Sequence, residues 1–146
     1  DLAACADSLV VVSSIYADAL LKPLRIKAQG KRAELAAVCD VDRAVAAKNF
    51  RDFDDALTAP IHGFKSGQDY YDKCSSQVFL PNIRTRTLLI QSADDPFLPR
   101  ARLPLEAVQA NDHLELRLTD HGGHVGFMSG FRTFWAESTA ADFLSR

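Results

Sequence analysis

Thr87-Leu88-Leu89-Ile90-Gln91-Ser92-Ala93-Asp94-Asp95-Pro96 is the stretch that decides the fold: a largely apolar run closed by an acidic turn before a proline. A short aliphatic run bounded by turn residues reads as a strand buried on both faces. Two carboxylates then fall on the loop that leaves it. In a parallel sheet this loop lies at the C-terminal edge, where such folds keep their working groups. The pair equally suits an Asx turn, in which the side chain bonds the backbone ahead of Pro96.

Downstream, residues 103–110 read as a short helix and Asn111-Asp112 as a turn. Leu114, Leu116 and Leu118 then alternate with Glu115, Arg117 and Thr119, the pattern of a strand with one buried face. Asp120-His121-Gly122-Gly123-His124-Val125-Gly126-Phe127 follows directly. Glycines around a histidine let the backbone fold closely behind an exposed imidazole, which suits a general base; a turn with incidental histidines accounts for the pattern as well. His121 and His124 with Asp120 adjacent also raise a metal site, against which the Gly-Gly between the histidines is a poor helix and no third ligand is spaced for it. A metal-dependent hydrolase using Asp95, His121 and His124 is a further alternative. Residues 131–144 read as a closing helix with Phe131, Phe134 and Trp135 on one stripe and Ser129 as its cap. Strand, helix, strand, helix argues for the edge of a mostly parallel α/β sheet. Two strands alone are marginal, so further strands are expected to complete it.

Residues 1–80 read as a helical, lid-like segment and residues 81–146 as the strand-bearing part. Asp1 can cap a first helix, and Ser13 or Ser14 a second carrying Ile15, Ala19 and Leu20. Pro23 is expected to break or restart that helix, because its ring removes a donor and clashes with the preceding turn. Leu9 to Val12 fits a helix or a buried strand, and helix is preferred. An Ala-rich helix is expected over residues 33–45, interrupted by Asp40, with Gly30 ending the helix before it. Residues 54–67, with Thr58-Ala59-Pro60 and two glycines, read as loop. Ser66 with Asp69 three residues on is a partial capping box that opens a helix through Tyr70 and Tyr71.

The 146 residues suffice for one ordinary domain, and 47% hydrophobic with 25% charged residues exclude a disordered tail. A net charge of -2, without a long basic run, argues against nucleic acid. No apolar run approaches the ~18 to 20 residues of a membrane span. Three cysteines, Cys5, Cys39 and Cys74, are an odd, widely spaced set that predicts a reducing, cytoplasmic setting.

An acid after one strand and a histidine after the next is the tail of the Ser…Asp…His order of α/β-hydrolases. The chain resembles the YheT-like branch of that family. The resemblance runs from Asp1-Leu2-Ala3-Ala4-Cys5-Ala6 through Phe53-Asp54-Asp55, Gly63-Phe64, Asp69-Tyr70-Tyr71 and Pro81-Asn82-Ile83-Arg84. It continues into Asp94-Asp95-Pro96-Phe97 and His121-Gly122-Gly123-His124-Val125-Gly126-Phe127. It implies the C-terminal part of the fold: a helical cap segment plus the last two parallel strands and their flanking helices.

The resemblance also implies that Asp95 is the triad acid and His124 the base, with Asp94 and His121 as bystanders. It implies an ester or lipid-like substrate and no metal or other cofactor. The chain departs from the family in one decisive respect: it contains no Gly-x-Ser-x-Gly, and Ser129 in Gly126-Phe127-Met128-Ser129-Gly130 has the wrong spacing. The nucleophile is therefore expected upstream of Asp1, and the isolated chain is expected to be inactive. Phe53 and Tyr70-Tyr71 either line an acyl pocket or pack as core. The alternative to an enzyme is a non-catalytic module that self-associates through an exposed sheet edge.

Overall fold

In the computed structural model, which describes residues 1–12, 14–127, 129 and 134–146, the Asp1 carboxylate accepts the Ala4 amide at 3.0 Å and caps α1 (Leu2–Val12). The ambiguous run that ends α1 is thus helical. The chain forms two compact units, Asp1–Ser75 and Ser76–Arg146.

In the first unit, α2 (Ser14–Gly30) runs straight through Pro23 and ends at Gly30. The expected break does not occur. An interior proline costs a helix about 3 kcal/mol, and burial of the opposite face offsets it. Ala17, Leu21 and Ala28 lie on one helical face, Leu21 being 0% exposed and packed with Ala44, Phe53 and Ala56. After α3 (Arg32–Leu35), Asp40 interrupts the Ala-rich stretch by capping α4 (Val41–Ala46), its carboxylate accepting the Arg43 amide at 2.9 Å.

α5 (Phe50–Phe53) is capped by Asn49, which accepts the Asp52 amide at 2.8 Å. A π-helical turn, Asp54–Thr58, continues it into α6 (Ala59–Ile61). These residues were expected to be loop. Their helicity has a tertiary cause: Ala56 and Ala59 are buried, and the hydroxyls of Thr58 and Tyr71 each donate to the Asp54 carboxylate at 2.6 Å. The true loop is short and turns at Gly63, whose φ of 75° suits glycine.

Ser66 accepts the Asp69 amide at 3.1 Å and caps α7 (Gly67–Cys74). Asp55 receives the Gly67 amide at 3.0 Å and pairs with Arg43 at 2.7 Å. The Gly67 amide first, and Arg43 next, hold its carboxyl below the usual range. A Cβ on Gly67 would come 3.1 Å from the Asp55 amide nitrogen, which is why this close approach carries glycine.

In the second unit, β1 (Thr87–Ser92) and β2 (Leu114–Thr119) pair in parallel, with Thr87 opposite Leu114 and Ser92 opposite Thr119. The crossover carries α8 (Leu105–Gln109), which starts after the extended Leu103 because Pro104 disfavours helix in the residue before it. Asn111 is buried and spans the turn: it donates to the Leu80 and Ile83 carbonyls at 2.8 and 3.1 Å and accepts the His113 amide at 3.0 Å. That one side chain ties the approach to β1 to the start of β2.

β1 was expected to be buried on both faces, yet only its last residue, Ser92, is fully covered. Among the described residues the sheet has two strands, too few to bury its faces, and Leu118 is 39% exposed. The closing helix, α9 (Trp135–Leu144), has Phe134 at its N-cap, so Ser129 does not cap it. The expected start at residues 131–133, with Phe131, lies outside the described residues, as does the proposed Ser13 cap. No single helix among the described residues is long and apolar enough to cross a membrane.

Candidate active site

Both candidate groups stand on loops that leave the same edge of the parallel pair, because parallel strands deliver their C-termini to one side. The Asp95 loop follows β1, and the His124 loop follows β2. His124 Nδ1 lies 3.0 Å from Asp95 Oδ2. The acid side chain is 1% exposed and the imidazole 51% exposed. The ring therefore turns Nδ1 to the carboxylate while about half of the side chain stays open.

Asp95 is held on every available lone pair. Oδ1 accepts the backbone amides of Phe97 and Leu98 at 2.8 and 3.2 Å, the Asx turn anticipated from the sequence. Oδ2 accepts the Gln91 side-chain amide at 2.6 Å in addition to facing His124. One oxygen thus makes the Asx turn and the other faces the imidazole. Burial is the largest single influence on this carboxyl and raises its pKa, but the bonds from His124, Phe97, Gln91 and Leu98 outweigh it and keep Asp95 below the usual carboxylate range. An ionised Asp95 opposite Nδ1 favours the tautomer with its proton on Nδ1, which makes Nε2 the basic nitrogen. The Phe97 ring packs edge-on against the imidazole, centroids 4.9 Å apart, and restricts its rotation.

Gln91 was not singled out from the sequence. Its signal was available: it is the polar amide that directly follows the aliphatic Leu88-Leu89-Ile90, four positions before the acid. His121 is brought to Asp94, at 3.3 Å, and stands largely in solvent. Asp95, His121 and His124 therefore do not converge as a metal-binding trio, and no cluster of three such ligands occurs among the described residues.

Of the aromatic residues, Phe53 and Tyr71 belong to the core of the first unit. That unit also holds an apolar cavity of about 580 Å³, lined among others by Leu2, Leu9, Leu24, Phe50, Phe53 and Tyr70. Burial and the bond to Asp54 raise the Tyr71 hydroxyl pKa far out of reach of acid–base work, so this phenol acts as a fixed donor.

No protein-family model and no solved structure matches the chain. Curated proteins do. "Putative esterase YheT" of Escherichia coli (strain K12) is 36% identical over 138 residues, covering 91% of this chain and 40% of the relative. "Phospholipase ABHD3" of Homo sapiens is 35% identical over 91 residues, 62% of this chain and 22% of the relative. "Medium-chain fatty acid ethyl ester synthase/esterase 2" of Saccharomyces cerevisiae is 34% identical over 104 residues, 71% of this chain and 23% of the relative. The chain thus spans less than half the length of these relatives. Its helical segment and parallel strand pair, taken with these similarities, place the chain in the α/β-hydrolase family, as the C-terminal portion of that fold.

Proposed function

We propose that these residues supply the acid and base of a Ser–Asp–His triad that hydrolyses carboxylic esters, lipid esters included. The carrying observation is the 3.0 Å contact between His124 Nδ1 and a buried, multiply bonded Asp95. In this reading Nε2 of His124 takes the proton of a serine hydroxyl as its oxygen attacks the ester carbonyl. The imidazolium then returns that proton to the departing alcohol, leaving an acyl-serine. Water repeats the sequence and releases the acid. Asp95 orients the ring and stabilises its transient charge without itself being protonated. The names of the relatives support an ester substrate.

The serine belongs to polypeptide outside these 146 residues, since none here sits in a Gly-x-Ser-x-Gly elbow. The isolated chain is accordingly inactive, and its odd cysteine count suits a cytoplasmic setting. The test is a p-nitrophenyl acyl ester assay with fluorophosphonate labelling. We expect neither turnover nor label with the isolated chain, and turnover with a longer form carrying the upstream segment, abolished by His124→Ala. Stoichiometric labelling of the isolated chain, or an active His124→Ala enzyme, overturns the reading.

The half-exposed strand pair supports a second reading, a non-catalytic module that covers its sheet by self-association. A chain that is monomeric by light scattering at high concentration removes it.

A further inference from the structure

We infer that Ser92 and Asp94 are positioning residues that clamp Gly123 from both sides and so deliver its neighbour His124 to Asp95; the inference rests on the reading of His124 as the base. Both polar groups of Gly123 are held by the end of the first strand. The Ser92 hydroxyl donates to the Gly123 carbonyl, and the Asp94 Oδ1 accepts the Gly123 amide at 2.9 Å. Ser92 is itself fixed: it is buried, it is the last ladder partner of Thr119, and the next amide, Ala93, donates to the Thr119 carbonyl at 2.8 Å.

The loop cannot slide over this anchor. Gly123 has a φ of 62°, a left-handed conformation that glycine adopts without strain. A Cβ on Gly122 would lie 2.7 Å from the Phe127 ring and 3.2 Å from Ser92 Cβ, so the backbone already rests directly on Ser92. The Phe127 amide closes the turn on the Gly122 carbonyl at 3.1 Å. With the preceding residue pinned, His124 retains only its side-chain torsions, and Asp95 and Phe97 restrict those. The arrangement thus supports a catalytic group through the residue beside it.

Asp94 has a rival role as acid for His121. The geometry favours the clamp: the Gly123 amide lies 2.9 Å from Asp94 Oδ1, whereas His121 is a solvent-exposed partner at 3.3 Å.

The test compares Ser92→Ala, Asp94→Ala, Asp94→Asn and His124→Ala in the active, longer form of the protein. Ser92→Ala and Asp94→Ala should each lower kcat by about 10- to 100-fold, the scale of a misplaced catalytic group, with KM little changed. Asp94→Asn keeps an oxygen for the Gly123 amide and should recover to within about 3-fold of the parent, on the same geometric ground. Hydrogen exchange at the Gly123 amide should accelerate in Asp94→Ala and not in Asp94→Asn, a readout independent of turnover. Unchanged kcat and unchanged exchange in Asp94→Ala overturn the clamp, as does an Asp94→Asn variant as damaged as Asp94→Ala. Full activity of His124→Ala instead overturns the functional reading on which the clamp rests.

Discussion

Gln91 and His124 meet on one atom: Oδ2 of Asp95 accepts the Gln91 amide at 2.6 Å and faces His124 Nδ1 at 3.0 Å. The carboxylate is therefore locked about its last torsion by groups from its own strand and its own turn before it addresses the imidazole. A bond to an ionised acceptor is worth about 1.5–3 kcal/mol when both partners are desolvated. Gln91→Leu, close in size but without a donor, should lower the unfolding free energy by that amount in urea titrations. It should also reduce turnover, because Oδ2 is freed to rotate away from Nδ1. An unaltered denaturation midpoint would show that the amide bonds solvent instead.

In the proposed triad, Asp95 carries a larger expected effect on turnover than on stability. Asp95→Asn preserves shape but removes the charge that selects the Nδ1–H tautomer, and the corresponding change in a serine-protease triad costs on the order of 10⁴-fold in kcat. Steady-state kinetics on a p-nitrophenyl ester with the longer form of the protein check this. A loss below tenfold would show that another carboxylate serves His124.

Acid stability follows from the same carboxyl. Its native pKa is depressed: burial works against this, and the bonds from His124, Phe97, Gln91 and Leu98 more than reverse it. A depressed native pKa means that the unfolded state binds the proton more tightly. The stabilisation is complete above the unfolded carboxyl value of about 3.9 and is lost as pH falls through the lower native value. Melting temperatures measured from pH 7 downward should therefore fall more steeply below about pH 4 in the parent than in Asp95→Asn, whose side chain does not titrate. Parallel curves would show that the Asp95 carboxyl titrates no lower in the folded protein than in the unfolded chain, so that its bonds do not favour the ionised form.

The site was more legible in the sequence than the helical segment, for a physical reason. Strand alternation at Leu114, Leu116 and Leu118, and the turns at Asp94-Asp95-Pro96 and Gly122-Gly123, are local signals, and locally dictated structure is written into consecutive residues. Asp54, by contrast, is kept in a helical turn by a hydroxyl from Tyr71, seventeen residues away. No local pattern announces such a bond, so residues 54–61 looked like loop. Gln91 failed for the converse reason: an amide directly after Leu88-Leu89-Ile90 is visible, but its target becomes visible only when the turn folds back on it. The exposure of β1 was hidden because an aliphatic run reports the burial it suits, and the parallel pair alone does not supply that burial.

Gly122→Ala probes the seating of the histidine loop. The new methyl would start 2.7 Å from the Phe127 ring and 3.2 Å from Ser92 Cβ, and one of these must move. Overpacking of this kind costs about 1–3 kcal/mol. Phe127 already holds a φ of 42°, so relief is expected to come from the loop as a whole. The His124 ring resonances should shift in NMR spectra along with the loss of stability, whereas a change confined to stability would show that the loop relaxes without disturbing the base.

Pro23 tests the claim that burial, not propensity, holds α2 together. The proline ring removes one intrahelical bond and crowds the carbonyl of Ala19, four residues before it. Pro23→Ala restores the donor and the best helix former, a gain of up to about 3 kcal/mol in a helix interior. The unfolded chain regains freedom at the same position, which takes back about 0.4–1 kcal/mol. The net change should be a higher melting temperature. Leu21→Ala is the matching control: deleting a fully buried leucine from the same face should cost about 2–5 kcal/mol. If Pro23→Ala destabilises the protein instead, the helix is bent to fit its neighbours and the proline is part of that fit.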